Sequence, residues 1–287
     1  MTVKHFEEYD YVYNDNNNLI EVYENKNLIC RYSYNSKSQL VREDNLLLET
    51  SIVYEFNNLG KLAKRISYDY SLDNLQNVKH IDVFTYDANN SNKLIAYNDE
   101  YFKYDSDDNF TVFRNSKLNF STSKNLLNLD FYKFKYDKQN YRCVKTVGKT
   151  KTKYYRKNNK LLKQKSKDTL RFIYENDEII GFKFKKKKYF YKKNINDDII
   201  GIYDSNKKLI CKYSYDSLGN HKLFVSDNNY KIADVNPFRF HSYYYDIESG
   251  LYHINGKYYD SEINCFLNAW KNKSFIKLLF FQHILQN

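Results

Sequence analysis

One recurring unit constrains this chain more than any other feature: an aromatic residue, any residue, a second aromatic, then Asp, Asn or Glu. It occurs as Tyr11/Tyr13 before Asn14, Tyr32/Tyr34 before Asn35, Tyr54/Phe56 before Asn57 and Phe84/Tyr86 before Asp87. It recurs as Phe102/Tyr104 before Asp105, Phe134/Tyr136 before Asp137, Phe172/Tyr174 before Glu175 and Tyr213/Tyr215 before Asp216. Residues i and i+2 share a face of a strand but not of a helix. Each pair therefore marks the packed face at the end of a strand. The Asp or Asn then starts a turn by bonding its side chain to nearby backbone.

The rest of the unit fits a hairpin. The slot four positions after the second aromatic holds Gly60 or Gly219, or else Asn17 or Asn140. These are residue types suited to positive φ. An apolar residue returns two positions later, at Leu19, Leu40, Leu62, Phe110 and Ile180, and opens the next strand. Leu94 comes late after Phe84/Tyr86, which predicts an inserted turn. Neighbouring hairpins are expected to stack into one long antiparallel sheet. Sustained helical periodicity is absent before residue 270, and no Pro/Gly/Ser linker divides the chain. The predicted fold class is all-β: stacked antiparallel β-hairpins, with a short C-terminal helix or disordered tail.

Composition agrees. Aromatics make up 18% of 287 residues, with 31 Tyr and 20 Phe, which suits a pleated, half-buried surface. Only 7 Gly and 1 Pro serve the turns, so Asn must stand in. A Lys, Asn, Ile and Tyr bias also follows from drift toward AT-rich codons, and one sequence does not separate the two causes. The net charge of +11 fits an anionic partner, or simply Lys used on exposed strand positions and sheet edges.

No catalytic, metal or cofactor site emerges. Cys30, Cys143, Cys211 and Cys265 lie far apart and form no paired ligand motif. His5, His80, His221, His241, His253 and His283 show no metal spacing. The acidic clusters at Asp87, Asp105/Asp107/Asp108 and Asp197/Asp198 fall where turns are expected, so capping explains them better than acid–base chemistry.

The unit resembles the YD repeat, and Tyr213-Ser214-Tyr215-Asp216-Ser217-Leu218-Gly219 is its best copy. A more specific likeness follows at Asn236, Pro237, Phe238 and Arg239, then Tyr243, Tyr244, Tyr245, Asp246, Gly250, Leu251, Tyr252, Tyr258, Tyr259, Asp260 and Phe266. This spacing is similar to the repeat-associated core motif of the Rhs/YD-repeat family. The resemblance runs from Tyr11 to Ala269. It implies a curved, partial β-shell over 1–233, a core motif over 234–270 that closes or caps it, and a non-family tail over 271–287. Family shells enclose a C-terminal toxin that bacteria deliver to competitors, and related shells occur on cell surfaces. The implied role is a scaffold rather than an enzyme, without cofactors. The implied partners are a toxin cargo, a larger repeat chain, or a second copy joined through sheet edges.

The departures are specific. The family's Pro, Gly and Arg after the core Asp are replaced within Ser261-Glu262-Ile263-Asn264-Cys265. No Asp-Pro exists, so the self-cleavage seen in many family members lacks its residues. The chain ends at Asn287, too soon after Ala269 for a toxin domain, and is expected to be a shell end without its cargo.

Two segments stay open. The run Lys185, Lys186, Lys187, Lys188, interleaved with Phe182, Phe184, Tyr189 and Tyr191, reads as a polyanion contact or as a hairpin turn with Lys toward solvent. The alternative function is accordingly a carbohydrate- or polyanion-binding surface. The apolar tail from Lys271 reads as a docking helix, an interfacial anchor or unselected sequence, and is too short to span a bilayer. No apolar signal-peptide core opens the chain, so it is expected to stay inside the cell or to leave as part of something exported by another route.

Overall fold

The hairpin expected from each aromatic unit recurs along the chain. The computed structural model describes residues 1–90, 92–225 and 230–268. Strands β1 (Thr2–Phe6) to β10 (Glu100–Tyr101) form a 10-stranded sheet, and β11 (Lys103–Tyr104) to β24 (His221–Val225) a 14-stranded one. A 4-stranded sheet runs from β25 (Tyr244–Asp246) to β28 (Cys265–Phe266). In every sheet the strand order follows the chain order, so neighbouring strands are consecutive and antiparallel. The helical segments among the described residues are α1 (Tyr230–Val235) and a 3-10 turn at Phe240–Ser242. The chain is all-β, as its repeat predicts. The expectation of a helical or disordered tail falls on residues outside those described.

The stack is not one uninterrupted sheet. It breaks at Phe102, which lies outside both β10 and β11 and gives its N–H to the Ile95 carbonyl (2.9 Å). The chain forms two compact units. One holds Met1–Phe102 with Ser214–His221; the other holds Lys103–Tyr213 with the chain from Lys222 through the small sheet.

The aromatic pairs act as predicted. Seven of the eight first rings, Tyr11, Tyr54, Phe84, Phe102, Phe134, Phe172 and Tyr213, are buried, and Tyr32 is half-buried. Three second rings, Tyr34, Tyr136 and Tyr174, are half-buried and donate to the carbonyls of Leu19 (2.8 Å), Leu126 (2.8 Å) and Leu161 (3.0 Å). On β4 (Asn27–Tyr34), Tyr32 and Tyr34 are both half-buried and flank the exposed Ser33, so the two rings share a side. Tyr213 and Tyr215 are both buried.

The turns follow the same logic. The Asn35 side-chain oxygen accepts from the N–H groups of Lys37 (2.9 Å) and Gln39 (3.0 Å). Asn14, Asn57, Asp105, Asp137 and Asp216 repeat the pattern. Asn17, Gly60, Asn140 and Gly219 take φ of 59°, 72°, 65° and 95°. Glu175 departs from it. Its longer side chain does not close such a turn, and Asn176 and Asp177 (φ 44° and 71°) make a two-residue hairpin there. The register shifts beside Tyr174, so Ile179 rather than Ile180 enters the core.

The lysine run is likewise a hairpin. The turn uses only Lys185 and Lys186 (φ 45° and 67°), while Lys187 and Lys188 already belong to β21 (Lys187–Lys193). Phe182, Phe184 and Tyr189 face the core. All four cysteines are free. Among the described residues, no cluster of His, Cys, Asp or Glu is arranged to hold a metal, and no helix is long and apolar enough to cross a membrane.

Candidate functional site

The core motif contains the most densely buried polar chemistry of the second unit. Asn236 opens it. Its side chain donates to the Phe238 carbonyl (2.7 Å) and accepts from the Tyr191 hydroxyl (2.7 Å), which fixes the bend before Pro237. The Pro237 carbonyl then takes the Tyr245 N–H (2.6 Å). Phe238 stands edge-on to Phe172 and Tyr244, with centroids 5.0 and 5.8 Å away. The Arg239 guanidinium lies over Tyr245 (4.3 Å) and Tyr213 (5.5 Å). Tyr243 is half-buried beside His241 (5.8 Å).

Asp246 is the centre of the site. It ends β25 and receives both arms of Arg142 from β16 (Arg142–Val147), with the Nη2 contact at 3.2 Å. Lys145, on the same strand, donates to Asp246 and to Glu248, each at 2.7 Å. Burial alone would raise the Asp246 carboxyl, but Arg142 and Lys145 hold it well below the usual carboxylate range. Burial likewise opposes charge on Arg142 and Lys145, and Asp246 reverses that effect at both. The guanidinium is also enclosed by rings, 4.8 Å from Tyr154 and 4.9 Å from Tyr244. Such cation–π contacts strengthen when desolvated.

The remaining motif residues build the small sheet. Gly250 adopts φ 72° at the turn that brings β26 (Leu251–Ile254) back. Leu251, Tyr252, Tyr258 and Tyr259 are essentially sealed from solvent. The Tyr258 hydroxyl meets Tyr136 (3.0 Å) and Arg142 (3.3 Å), so β27 (Lys257–Asp260) bonds to the same seam. Tyr259 packs on Phe266 (5.2 Å). Burial pushes the Asp260 carboxyl up to about 6, opposed by Arg114, whose Nη2 lies 2.8 Å from it. In the altered turn, Asn264 takes φ 49° where the family pattern has Gly. Beyond it Asn268 accepts from the Tyr258 N–H (2.9 Å) and donates to the Lys124 carbonyl (2.9 Å).

All the motif residues named from the sequence thus fall within one connected segment. The sequence does not reveal their receivers, Arg142, Lys145, Arg114, Tyr136 and Tyr154. One signal exists. Arg142 occupies the slot six positions after Tyr136 where five other units carry Leu19, Leu40, Leu62, Phe110 and Ile180. Lys185, Lys186, Lys187 and Lys188 lie on a hairpin away from this seam and are exposed. Chemically, the arrangement is an anchor: buried carboxylates meet cations and aromatic faces, and His253 is kept neutral by burial and by Arg142.

No family model matches the chain. It is 30% identical over 191 residues to the tRNA3(Ser)-specific nuclease WapA of Bacillus spizizenii and, to the same extent, to the tRNA nuclease WapA of Bacillus subtilis. These matches cover 62% of this chain but only 8% of each relative, so the chain spans less than a tenth of their length. Among solved structures it resembles TcdB2-TccC3 without its hypervariable C-terminal region (TM-score 0.74, 15% identity, 95% of this chain, 16% of that one). The Photorhabdus luminescens Tc holotoxin pore is similar at TM-score 0.70 and 14% identity, over 93% of this chain and 16% of that one. The structural likeness shows the fold.

Proposed function

We propose that this Rhs/YD-repeat chain is a structural segment of a β-shell, one that encloses or presents a cargo attached beyond its core motif. The observation that carries this reading is the seam at Asp246. The core segment docks through a buried, aromatic-lined ionic contact onto strands formed about a hundred residues earlier. That is a way to lock a closing element in place. The solved structures of similar fold are complexes by their own descriptions, which supports association with other chains. Chemistry, where a relative is described as a nuclease, is assigned by this reading to the rest of that protein and not to the shell.

The open ends of the sheets indicate how the segment joins an assembly. Among the described residues β1 pairs only with β2 (Tyr9–Tyr13), and Val3 on it is 49% exposed. An unpaired edge is a template for another strand. On this reading the assembly works outside the cell or on its surface. Size-exclusion chromatography with light scattering tests the association. The chain is expected to elute larger than a monomer, and Val3→Lys, which puts charge on the edge, is expected to return it to monomer. A monomeric, monodisperse parent chain would remove the edge-pairing part of the proposal. A reporter domain fused after the chain tests the cargo role, and unhindered proteolysis of that reporter at the rate of the free domain would remove it.

A further inference from the structure

One face of the 14-stranded sheet carries a cationic row that the shell reading does not require. Lys163 on β18 (Lys160–Lys165), Arg171 on β19 (Thr169–Glu175), Lys183 on β20 (Glu178–Phe184) and Lys188 on β21 are successive register partners. With strands about 4.8 Å apart, the row extends roughly 14 Å across the sheet. Lys153 and Lys165 face each other beside it. Like charges directly opposite destabilise a sheet. None of these six cations has an acidic partner among the described residues, and all but the half-buried Lys163 are exposed. A fold that keeps such a row uncompensated holds a surface matched to closely spaced negative charge.

A second feature adjoins the row. An open cavity of about 680 Å³ is lined by the four register cations and by Tyr155, Leu162, Ile173 and Phe190. Tyr155 is 40% exposed, and the Lys163 ammonium lies 3.8 Å from its ring centroid. Cations therefore stand beside flat apolar surfaces rather than alone.

We propose that this face binds single-stranded nucleic acid, with phosphates along the row from Lys163 to Lys188 and bases against Tyr155 and Phe190. A cationic track flanked by aromatic rings is the arrangement that such chains use, because every base has a stackable face. Acidic polypeptides and polysaccharides supply the charge but no planar rings for the cavity. Of the four lysines singled out in the sequence, Lys188 lies in this row. The other three row members come from strands that only the register brings together. The inference stands apart from the shell reading.

Fluorescence anisotropy of the full chain with labelled oligo(dT) of about twenty nucleotides provides the test. Binding is expected to weaken with salt, with a log–log slope of about −3 for four phosphates. Arg171→Glu with Lys188→Glu makes the row alternate in sign. That pair is expected to weaken oligo(dT) about tenfold or more while the melting temperature does not fall. Phe190→Ala is expected to weaken oligo(dT) and to leave polyglutamate unchanged. The proposal is overturned if oligo(dT) does not bind, if the charge variant binds it as the parent does, or if polyglutamate and heparin bind equally well and Phe190→Ala affects none of them.

Discussion

Arg142 and Asp246 lie 104 residues apart in the sequence and meet in a two-armed ion pair, their side chains 1% and 2% exposed. The pair joins a repeat hairpin to the core motif. Its desolvation is costly, and only the matched charges, the second cation Lys145 and the enclosing rings offset that cost. A contact of this kind acts as a registry pin: it is weak as a source of net stability and strict about what may sit opposite.

The second-ring tyrosines Tyr34, Tyr136 and Tyr174 should each contribute a hydrogen bond. Tyr136→Phe removes the hydroxyl shared with the Leu126 carbonyl and with Tyr258. A loss of about 1 kcal/mol in urea unfolding is expected, with the circular dichroism spectrum unchanged. No loss would mean that the ring alone does the work.

Backbone conformation at the turns gives a prediction of opposite sign at two equivalent slots. Ser38 takes φ 55° at a cost, and Ser38→Gly should raise stability by up to about 1 kcal/mol. Gly219 takes φ 95°, and Gly219→Ala should lower it by about 1–2 kcal/mol. Thermal melts of the two variants moving in the same direction would contradict the turn assignment.

Glu43 predicts a pH dependence in the first unit. Burial pushes its carboxyl up to about 7, the Asp216 carboxylate adds to this, and bonds from Ser217 and Tyr54 oppose it. Burial also raises Asp216, against the pull of Arg65. The folded chain thus keeps a proton on Glu43 that the unfolded chain releases near 4.5. The stability from Glu43 is complete below that pH and is lost as pH rises through about 7. Glu43→Gln removes the titration. Relative to the parent, the variant should gain about 3 kcal/mol between pH 4.5 and 8 in urea unfolding. An offset independent of pH would show that Glu43 is ionised throughout.

Much of this fold is legible in local chemistry. Paired rings two positions apart, an Asp or Asn after them, and Asn or Gly at the left-handed slot specify each hairpin without long-range information. Glu175 shows the limit of the pattern, since one extra methylene changes the turn and shifts Ile179 into the core in place of Ile180. The break at Phe102 is not visible either, because the residues there still match the repeat. The core motif is recognisable as a string, but its docking partners are not. Arg142 stands out only as a polar residue in an apolar slot, and nothing near it points to Asp246. Likewise Asp216 reads as an ordinary turn residue, and its burial beside Glu43 depends on strands far away in sequence.

A double-mutant cycle across the seam tests the central claim most directly. Arg142→Met, Asp246→Leu and the two together are compared in urea unfolding. Asp246→Leu leaves Arg142 buried without its carboxylate, and Arg142→Met leaves Asp246 with Lys145 alone. Each is expected to cost about 3–5 kcal/mol, while the double change costs much less than their sum, giving a coupling above about 2 kcal/mol. Single-variant effects that simply add, within about 0.5 kcal/mol, would show that the core segment is not pinned to the hairpin stack through this pair.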